Sequence, residues 1–493
     1  MNLQLLSDIR EGYGFRENAV ALRQGQRMLH YGGLSAAVEA IAEWLRGTGC
    51  KVVALRAENS IDWVLVDLAC QVAELVCLPL PDFFSGAQTE HCLRTTGAEL
   101  LLTDAEAARE GAIPVPVVTG IQAVPLRSEA LPALPVGTQK ITFTSGSTGE
   151  PKGVCLDTRL QWQVARSLSE TVDAATRSHL CILPLPTLLE NVAGIYASLL
   201  RGGEIILPDA ASRGLSGSSG LDLPALLRCI ETERPNSMIF LPQLLRALLA
   251  ACERGWRPPS SLRFVAVGGA RVAPELIVQA RGKGLPVYEG YGLSECGSVV
   301  ALNTPGRDHP GAVGRILPHC QVGIEDGEII VSGACHLGYV GDPRSWYPRS
   351  ISTGDLGSLD GRGFLQVNGR SKNVLISSYG RNISPEWIES ELCALPLLTH
   401  CVVIGDGRPF LSALLGCPDD VEDAAIQRAV DNVNHRLPDY ARVRAWLRLD
   451  GGTWTTLLTA NGRPRRGDIE RSMAAAVEQL YTSVMADTSS RPA

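Results

Sequence analysis

The chain has 493 residues, 45% of them hydrophobic and 20% charged, with 45 Lys and Arg against 52 Asp and Glu for a net charge of −7. This composition implies a compact globular protein with roughly three domains' worth of core, and the acidic balance gives no support for a nucleic-acid footprint. The start has neither the basic nor the apolar region of a signal peptide, and no run of about 18 apolar residues occurs, so no signal peptide and no membrane span are expected and the expected location is cytoplasmic.

In chain order, residues 34–46 carry apolar positions at helical spacing, ended by Gly47 and Gly49. Residues 51–55 read as a buried strand, 60–73 as a second helix and 75–80 as a strand. Alternation continues through the apolar strands 180–183, 204–207, 237–240 and 264–267, which predicts parallel sheets covered by helices. Residues 209–220 are rich in Gly and Ser and predict a surface loop. From about 311 to 367 the elements turn short and β-like, and the region after 373 has the size of one further α+β domain. The fourteen cysteines run from Cys50 to Cys417 without a Cys-x-x-Cys, as buried thiols in a reducing compartment would.

The densest chemistry lies in residues 141–154, where Thr144, Ser145, Gly146, Ser147, Thr148, Gly149 and Lys152 sit between two apolar β-type flanks. Glycines let backbone N–H groups approach an anion, hydroxyls donate to phosphate oxygens, and lysine adds charge. A Walker A loop would need Gly-Lys-Ser/Thr leading into a helix. Here Lys152 lies between Pro151 and Gly153, which predicts a turn. Further along come Gly268-Gly269-Ala270 after a strand, Tyr291-Gly292-Leu293-Ser294-Glu295, Thr353-Gly354-Asp355, the stretch from Gly369-Arg370 to Lys372, Gly380 in residues 378–389, and Asn461-Gly462-Arg463. Ser384-Pro385-Glu386 also reads as a helix N-cap with Pro in first position.

In this order the motifs resemble those of the adenylate-forming enzymes, and the Leu-Pro-Leu segment with Glu190 is most similar to long-chain fatty acyl-CoA synthetases. The resemblance implies an α/β fold. A large N-terminal domain, residues 1–370, would hold two parallel-type α/β subdomains and a small β-rich one. A small mobile α+β domain, 371–486, and a disordered tail, 487–493, would follow. It implies that the 144–152 loop holds ATP phosphates, that Gly268, Gly269 and Ala270 lie along adenine, and that Tyr291, Gly292 and Ser294 complete that site. Glu295 with Thr148 would hold Mg²⁺, which favours carboxylate and phosphate oxygens. Asp355 and Arg370 would bind the ribose, Lys372 would be the hinge, and Gly380 would line a thiol tunnel.

Two positions depart from the family pattern. Arg463 stands where a catalytic lysine is usual, so that Thr148, Lys152, Glu295 and Arg463 form the expected catalytic set. Thr187 stands where His or an aromatic residue is common, and with Asn191 it would line the acyl pocket. The activity implied is ATP-dependent activation of a carboxylic acid through acyl-AMP, then thioester formation with coenzyme A or a carrier-protein phosphopantetheine. A medium- or long-chain fatty acid is the favoured substrate. The alternatives are an acyl- or aryl-acid ligase loading a carrier protein and a non-catalytic nucleotide-binding relative.

Overall fold

The computed structural model describes residues 17–107, 111–127, 132–144, 152–216, 220–378, 381–459 and 464–489. Two large sheets organise the N-terminal region. The eight-stranded sheet is built round Val52–Arg56, paired in parallel with Val76–Pro79 and Leu100–Asp104. Val52, Val53, Ala54 and Leu55 are all buried, as an uninterrupted apolar strand covered on both faces must be. Helix Tyr31–Thr48 buries Leu34, Val38, Ile41 and Leu45 along one face and stops at Gly49, whose φ of +73° is left-handed. Helix Ile61–Val72 starts on Ser60, whose side chain accepts the Trp63 N–H.

The nine-stranded sheet has a parallel centre of Val20–Gln24, Glu204–Ile206, Ser178–Leu180, Ser237–Phe240, Phe264–Val267 and Val287–Leu293. Its edges are antiparallel, as are those of the other large sheet. The expected parallel sheets are therefore mixed ones. Short connections join many consecutive strands, and a short connection permits only antiparallel pairing. Residues 209–220 are also more ordered than a plain surface loop. They form helix Ala210–Arg213 and a small pair of strands, Leu215–Ser216 and Gly220–Leu221. Arg213 is buried there and ion-pairs with Glu58 at 2.8 Å.

A buried polar network ties four elements together. Lys140, fully buried at the start of strand Lys140–Thr144, reaches Asp67 Oδ1 at 2.8 Å, Asn191 Oδ1 at 2.6 Å and the Tyr196 hydroxyl at 2.8 Å. Gln71 donates to Tyr196 at 2.5 Å and accepts from Trp162 Nε1 at 2.8 Å. A buried ammonium is tolerable only when paired and hydrogen-bonded in this way. Asn191 and Tyr196 lie on Leu189–Tyr196, wound as a π-helix, a rare form that is often found at functional sites.

The β-rich region is a four-stranded antiparallel sheet of Gln321–Glu325, Glu328–Ser332, Ser350–Leu359 and Leu365–Arg370. A tight turn, Ser371–Asn373, leads to the C-terminal part. There His400–Ile404, Leu411–Gly416 and Val443–Leu449 form a three-stranded sheet over a core of its own that includes Ile388, Leu392, Val403, Ile426 and Val430. Helix Ala474–Ser489 runs past residue 487, where a disordered tail was expected to begin. Among the described residues no helix is long and apolar enough to cross a membrane. The cysteines are all free, ten of them buried and Cys50, Cys335, Cys393 and Cys417 partly exposed.

Candidate active site

A cleft of about 2200 Å³ lies where parallel strands of both sheets end. Its wall includes Asp82 after Val76–Pro79, Pro184 and Thr187 after Ser178–Leu180, Pro242 after Ser237–Phe240, and Gly268, Gly269 and Ala270 after Phe264–Val267. Carboxyl ends of parallel strands are where open α/β sheets receive ligands. The C-terminal region closes the far side with Trp454, Leu458, Thr459 and Arg465.

Strand Lys140–Thr144 pairs antiparallel with Lys152–Leu156, and Thr144 stands opposite Lys152. The strands on either side of the hydroxyl-rich segment thus pair antiparallel, and the first described residues after it are in a strand rather than a helix. Lys152 is the first residue of the return strand rather than part of a turn, and Thr144 and Lys152 both line the cleft. Ser145, Gly146, Ser147, Thr148 and Gly149 lie outside the described residues.

Beyond the glycine strand end, Asp355 sits opposite Arg370 in an antiparallel pair. Its carboxylate takes the Arg370 guanidinium at 2.9 Å and the Tyr291 hydroxyl at 2.7 Å. Burial first, and then the Asp355 charge, push the Tyr291 phenol far above its ordinary range, so it remains a donor. Tyr291 is thereby tied to Asp355 through its hydroxyl, whatever its ring faces. Gly292 is obligatory, because a Cβ there would lie 1.7 Å from the Ser298 carbonyl oxygen. Gly268 passes close to Gly290, where a Cβ would come within 3.0 Å of its carbonyl oxygen. Ser294 and Glu295 form the tight turn Ser294–Cys296, and both line the cleft.

Lys372 also lines the cleft, and partial burial followed by the nearby Arg370 charge lowers its pKa. Gly380 and Arg463 lie outside the described residues. The neighbours Pro464, Arg465 and Arg466 face the cleft, and Arg466 is ion-paired with the partly buried Glu389. No group of three or more metal-ligating side chains exists among the described residues. One cleft carboxylate with phosphate oxygens is nevertheless a sufficient donor set for Mg²⁺, which keeps several waters.

Two expected pocket residues are placed differently. Thr187 does reach the cleft, but its hydroxyl donates to the Pro184 carbonyl at 2.7 Å. Asn191 is 1% exposed and belongs to the Lys140 network, donating to Asp67 Oδ2 at 3.1 Å. It is a core residue and not part of the cleft wall. The apolar stretch after it is likewise core, with Val192, Ile195 and Leu199 buried and only Ala193 reaching the cleft. Gly194 is required there, since a Cβ would lie 2.5 Å from Glu190 Oε1 and 2.7 Å from His179 Nε2, which are themselves paired at 2.7 Å.

Glu289 and Tyr339 were not singled out by sequence. Burial pushes the Glu289 carboxyl up to about 8, while the Val272 N–H holds one oxygen at 3.3 Å. Tyr339 donates to Glu295 Oε1 at 3.0 Å. The signal for Glu289 was its place two residues before Tyr291; Tyr339 left none beyond the Gly-Tyr pair itself.

The Asp355–Arg370 pair, the glycine strand end at Gly268 and the paired strands ending at Thr144 and starting at Lys152 all face one cleft. The chain belongs to the AMP-binding enzyme family: residues 11–335 match the AMP-binding enzyme model and residues 372–485 match the AMP-binding enzyme C-terminal domain. It is 30% identical over 426 residues to a feruloyl-CoA synthase of Amycolatopsis sp., covering 80% of this chain and 83% of the relative. A long-chain-fatty-acid–CoA ligase of Mycobacterium bovis is 37% identical over 163 residues, covering 31% of this chain and 26% of that one. Among solved structures, an anthranilate CoA ligase in complex with anthranoyl-AMP superposes with a TM-score of 0.80 at 19% identity, covering 96% and 98% of the two chains. The chain is an AMP-forming acid–thiol ligase that works through an acyl-AMP. The non-catalytic alternative is set aside.

Proposed function

We propose that this ligase activates an acid bearing an aromatic ring and transfers it to coenzyme A. The observation that carries this reading is the length of the match to a feruloyl-CoA synthase, against a match to the fatty-acid ligase that spans under a third of the chain. The cleft supports it. Leu188, Leu189, Ala193 and Met238 contribute an apolar wall beside Thr187, and apolar walls with few polar groups suit a ring. The higher local identity to the fatty-acid ligase favours a second reading, a fatty acid, for the same site.

In the first step the acid carboxylate attacks the ATP α-phosphorus, forming the mixed anhydride and releasing pyrophosphate. In the second step the thiol attacks the acyl carbon, the thioester forms and AMP leaves. The protein has little covalent work; it orients anions and offsets their charge. In this reading Asp355 and Arg370 hold the ribose, Tyr291 fixes Asp355, and Lys152 with Thr144 and residues 145–149 hold the phosphates. Glu295 and Thr148 would ligate Mg²⁺, whose chemistry is to offset triphosphate charge. Arg463 serves as the second cation, Lys372 as the pivot of a mobile C-terminal domain, and Gly380 as a wall of the thiol path.

Pyrophosphate release with ATP and a panel of ring-bearing and straight-chain acids tests the substrate, and adding coenzyme A or a phosphopantetheinylated carrier tests the acceptor. Faster turnover of ring-bearing acids is expected; a preference for straight chains moves the assignment to the second reading. Arg463→Ala is expected to abolish acyl-AMP formation while thiolysis of supplied acyl-AMP survives, and unchanged adenylation would refute that role.

A further inference from the structure

We propose that Tyr339 is a positioning residue that couples the carboxylate of Glu295 to the ammonium of Lys152 across the phosphate end of the cleft. The inference rests on the nucleotide-handling roles proposed above for those two residues. All three line the cleft. The Tyr339 hydroxyl donates to Glu295 Oε1 at 3.0 Å. Its ring centroid lies 5.6 Å from Lys152 Nζ, within reach of a cation–π attraction. One phenol therefore touches both the acidic and the basic group.

The backbone makes this contact rigid. Gly338–Tyr339 pairs antiparallel with the strand that begins at Lys152, Tyr339 opposite Val154, and the Val340 N–H donates to the Gly153 carbonyl at 3.0 Å. Close packing requires glycine at Gly153, where a Cβ would meet Val340 Cγ2 at 2.8 Å. On the other side the His336 N–H donates to the Glu295 carbonyl at 2.7 Å, and the His336 ring packs edge-on to Tyr339 at 4.9 Å. Ser345 Oγ accepts the Tyr339 N–H at 2.9 Å, and Trp346 Nε1 donates to the Tyr339 carbonyl at 3.1 Å. Gly338 sits at a φ of +132°, and a Cβ there would lie 2.5 Å from Trp346 Cδ1. The strand is clamped from both ends, so the phenol has little freedom to leave.

Packing alone would be served as well by Phe. The hydroxyl adds a charged hydrogen bond to a carboxylate at the cleft rim. A carboxylate held in this way loses less side-chain freedom when it takes a cation, and outer partners of this kind commonly change metal affinity about 10–100-fold. The bond is made to Oε1, one of the two carboxylate oxygens through which Glu295 would take a divalent cation.

The test is calorimetric titration of ATP into the full chain, with Mg²⁺ varied and with EDTA, for wild type, Tyr339→Phe, Tyr339→Leu and Glu295→Gln. Tyr339→Phe keeps the ring and its packing. It is expected to raise the half-saturating Mg²⁺ about tenfold while leaving ATP affinity in EDTA unchanged. Tyr339→Leu is expected to weaken ATP binding in EDTA as well, because Lys152 loses its ring. Adding Tyr339→Phe to Glu295→Gln is expected to change nothing further. An unchanged Mg²⁺ requirement in Tyr339→Phe, with normal wild-type coupling, overturns this role alone. An equal loss with and without Mg²⁺ reduces Tyr339 to packing and also overturns it. Wild-type ATP binding that is indifferent to Mg²⁺ overturns the metal role of Glu295 together with this one.

Discussion

In the proposed reading, the nucleotide side of the cleft and the acid side are built on different rules. On the nucleotide side the polar groups are pre-paired and point inward: Asp355 already holds Arg370 and Tyr291, and Glu295 already holds Tyr339. On the acid side the polar groups are turned away. Thr187 gives its hydroxyl to Pro184 and Asn191 gives its amide to Asp67, which leaves an apolar wall. An invariant ligand such as ATP rewards fixed polar partners, whereas an acid recognised by its hydrocarbon part is selected by shape. Leu189 and Ala193 of that wall lie on the same π-helix as Asn191 and Tyr196, which the Lys140 network holds.

That contrast can be broken first at its support. Lys140→Met leaves Asp67 buried without its cation and is expected to cost about 3–5 kcal/mol of stability in urea unfolding. Adding Asp67→Leu should recover most of the loss, and a cost below about 1 kcal/mol would show that the network does not hold the acid side in place. On the nucleotide side, Asp355→Ala strips Arg370 and Tyr291 of their acceptor. A loss of about 3 kcal/mol, or roughly a hundredfold in kcat/KM for ATP, is expected from pyrophosphate release, with the KM for the acid little changed.

Glu289 sharpens the comparison through pH. Its folded pKa, about 8, lies above the ordinary 4.5, so the folded state binds the proton more tightly than the unfolded state. The carboxyl is therefore well tolerated below about 4.5 and costs stability progressively as pH rises toward about 8. Glu289→Gln should match wild type in acid and gain on it across that window, as thermal unfolding at several pH values would reveal. A constant difference at every pH would contradict the assignment. The smallest effect is expected from Thr187→Ala, about 1 kcal/mol of stability or less, with little change in kcat, since only a bond to Pro184 is lost. A hundredfold fall in kcat would mean that the hydroxyl serves the substrate after all.

Much of the nucleotide side was legible because its residues come in short contiguous runs. Thr144 and Lys152 bracket one hairpin, and Tyr291 and Glu295 stand four residues apart on one strand and its turn. Helix ends were legible for the same local reason, as at Ser60 and Gly49. Lys140 gave no such signal: a lone lysine in an apolar strand looks like an edge residue until Asp67 and Tyr196, far off in sequence, are brought to it. The pairing of His179 with Glu190 and the need for glycine at Gly194 were hidden for that reason too.

By itself the sequence determined the α/β alternation, the β-type flanks of the 141–154 segment and the order of the motifs, because these depend on local periodicity and on neighbouring residues. Only the tertiary structure decided that the sheets are mixed, that Asn191 is core and not pocket, and that Tyr339 stands between Glu295 and Lys152. Those outcomes depend on contacts between distant segments, where packing and the desolvation of buried charge outweigh local preference.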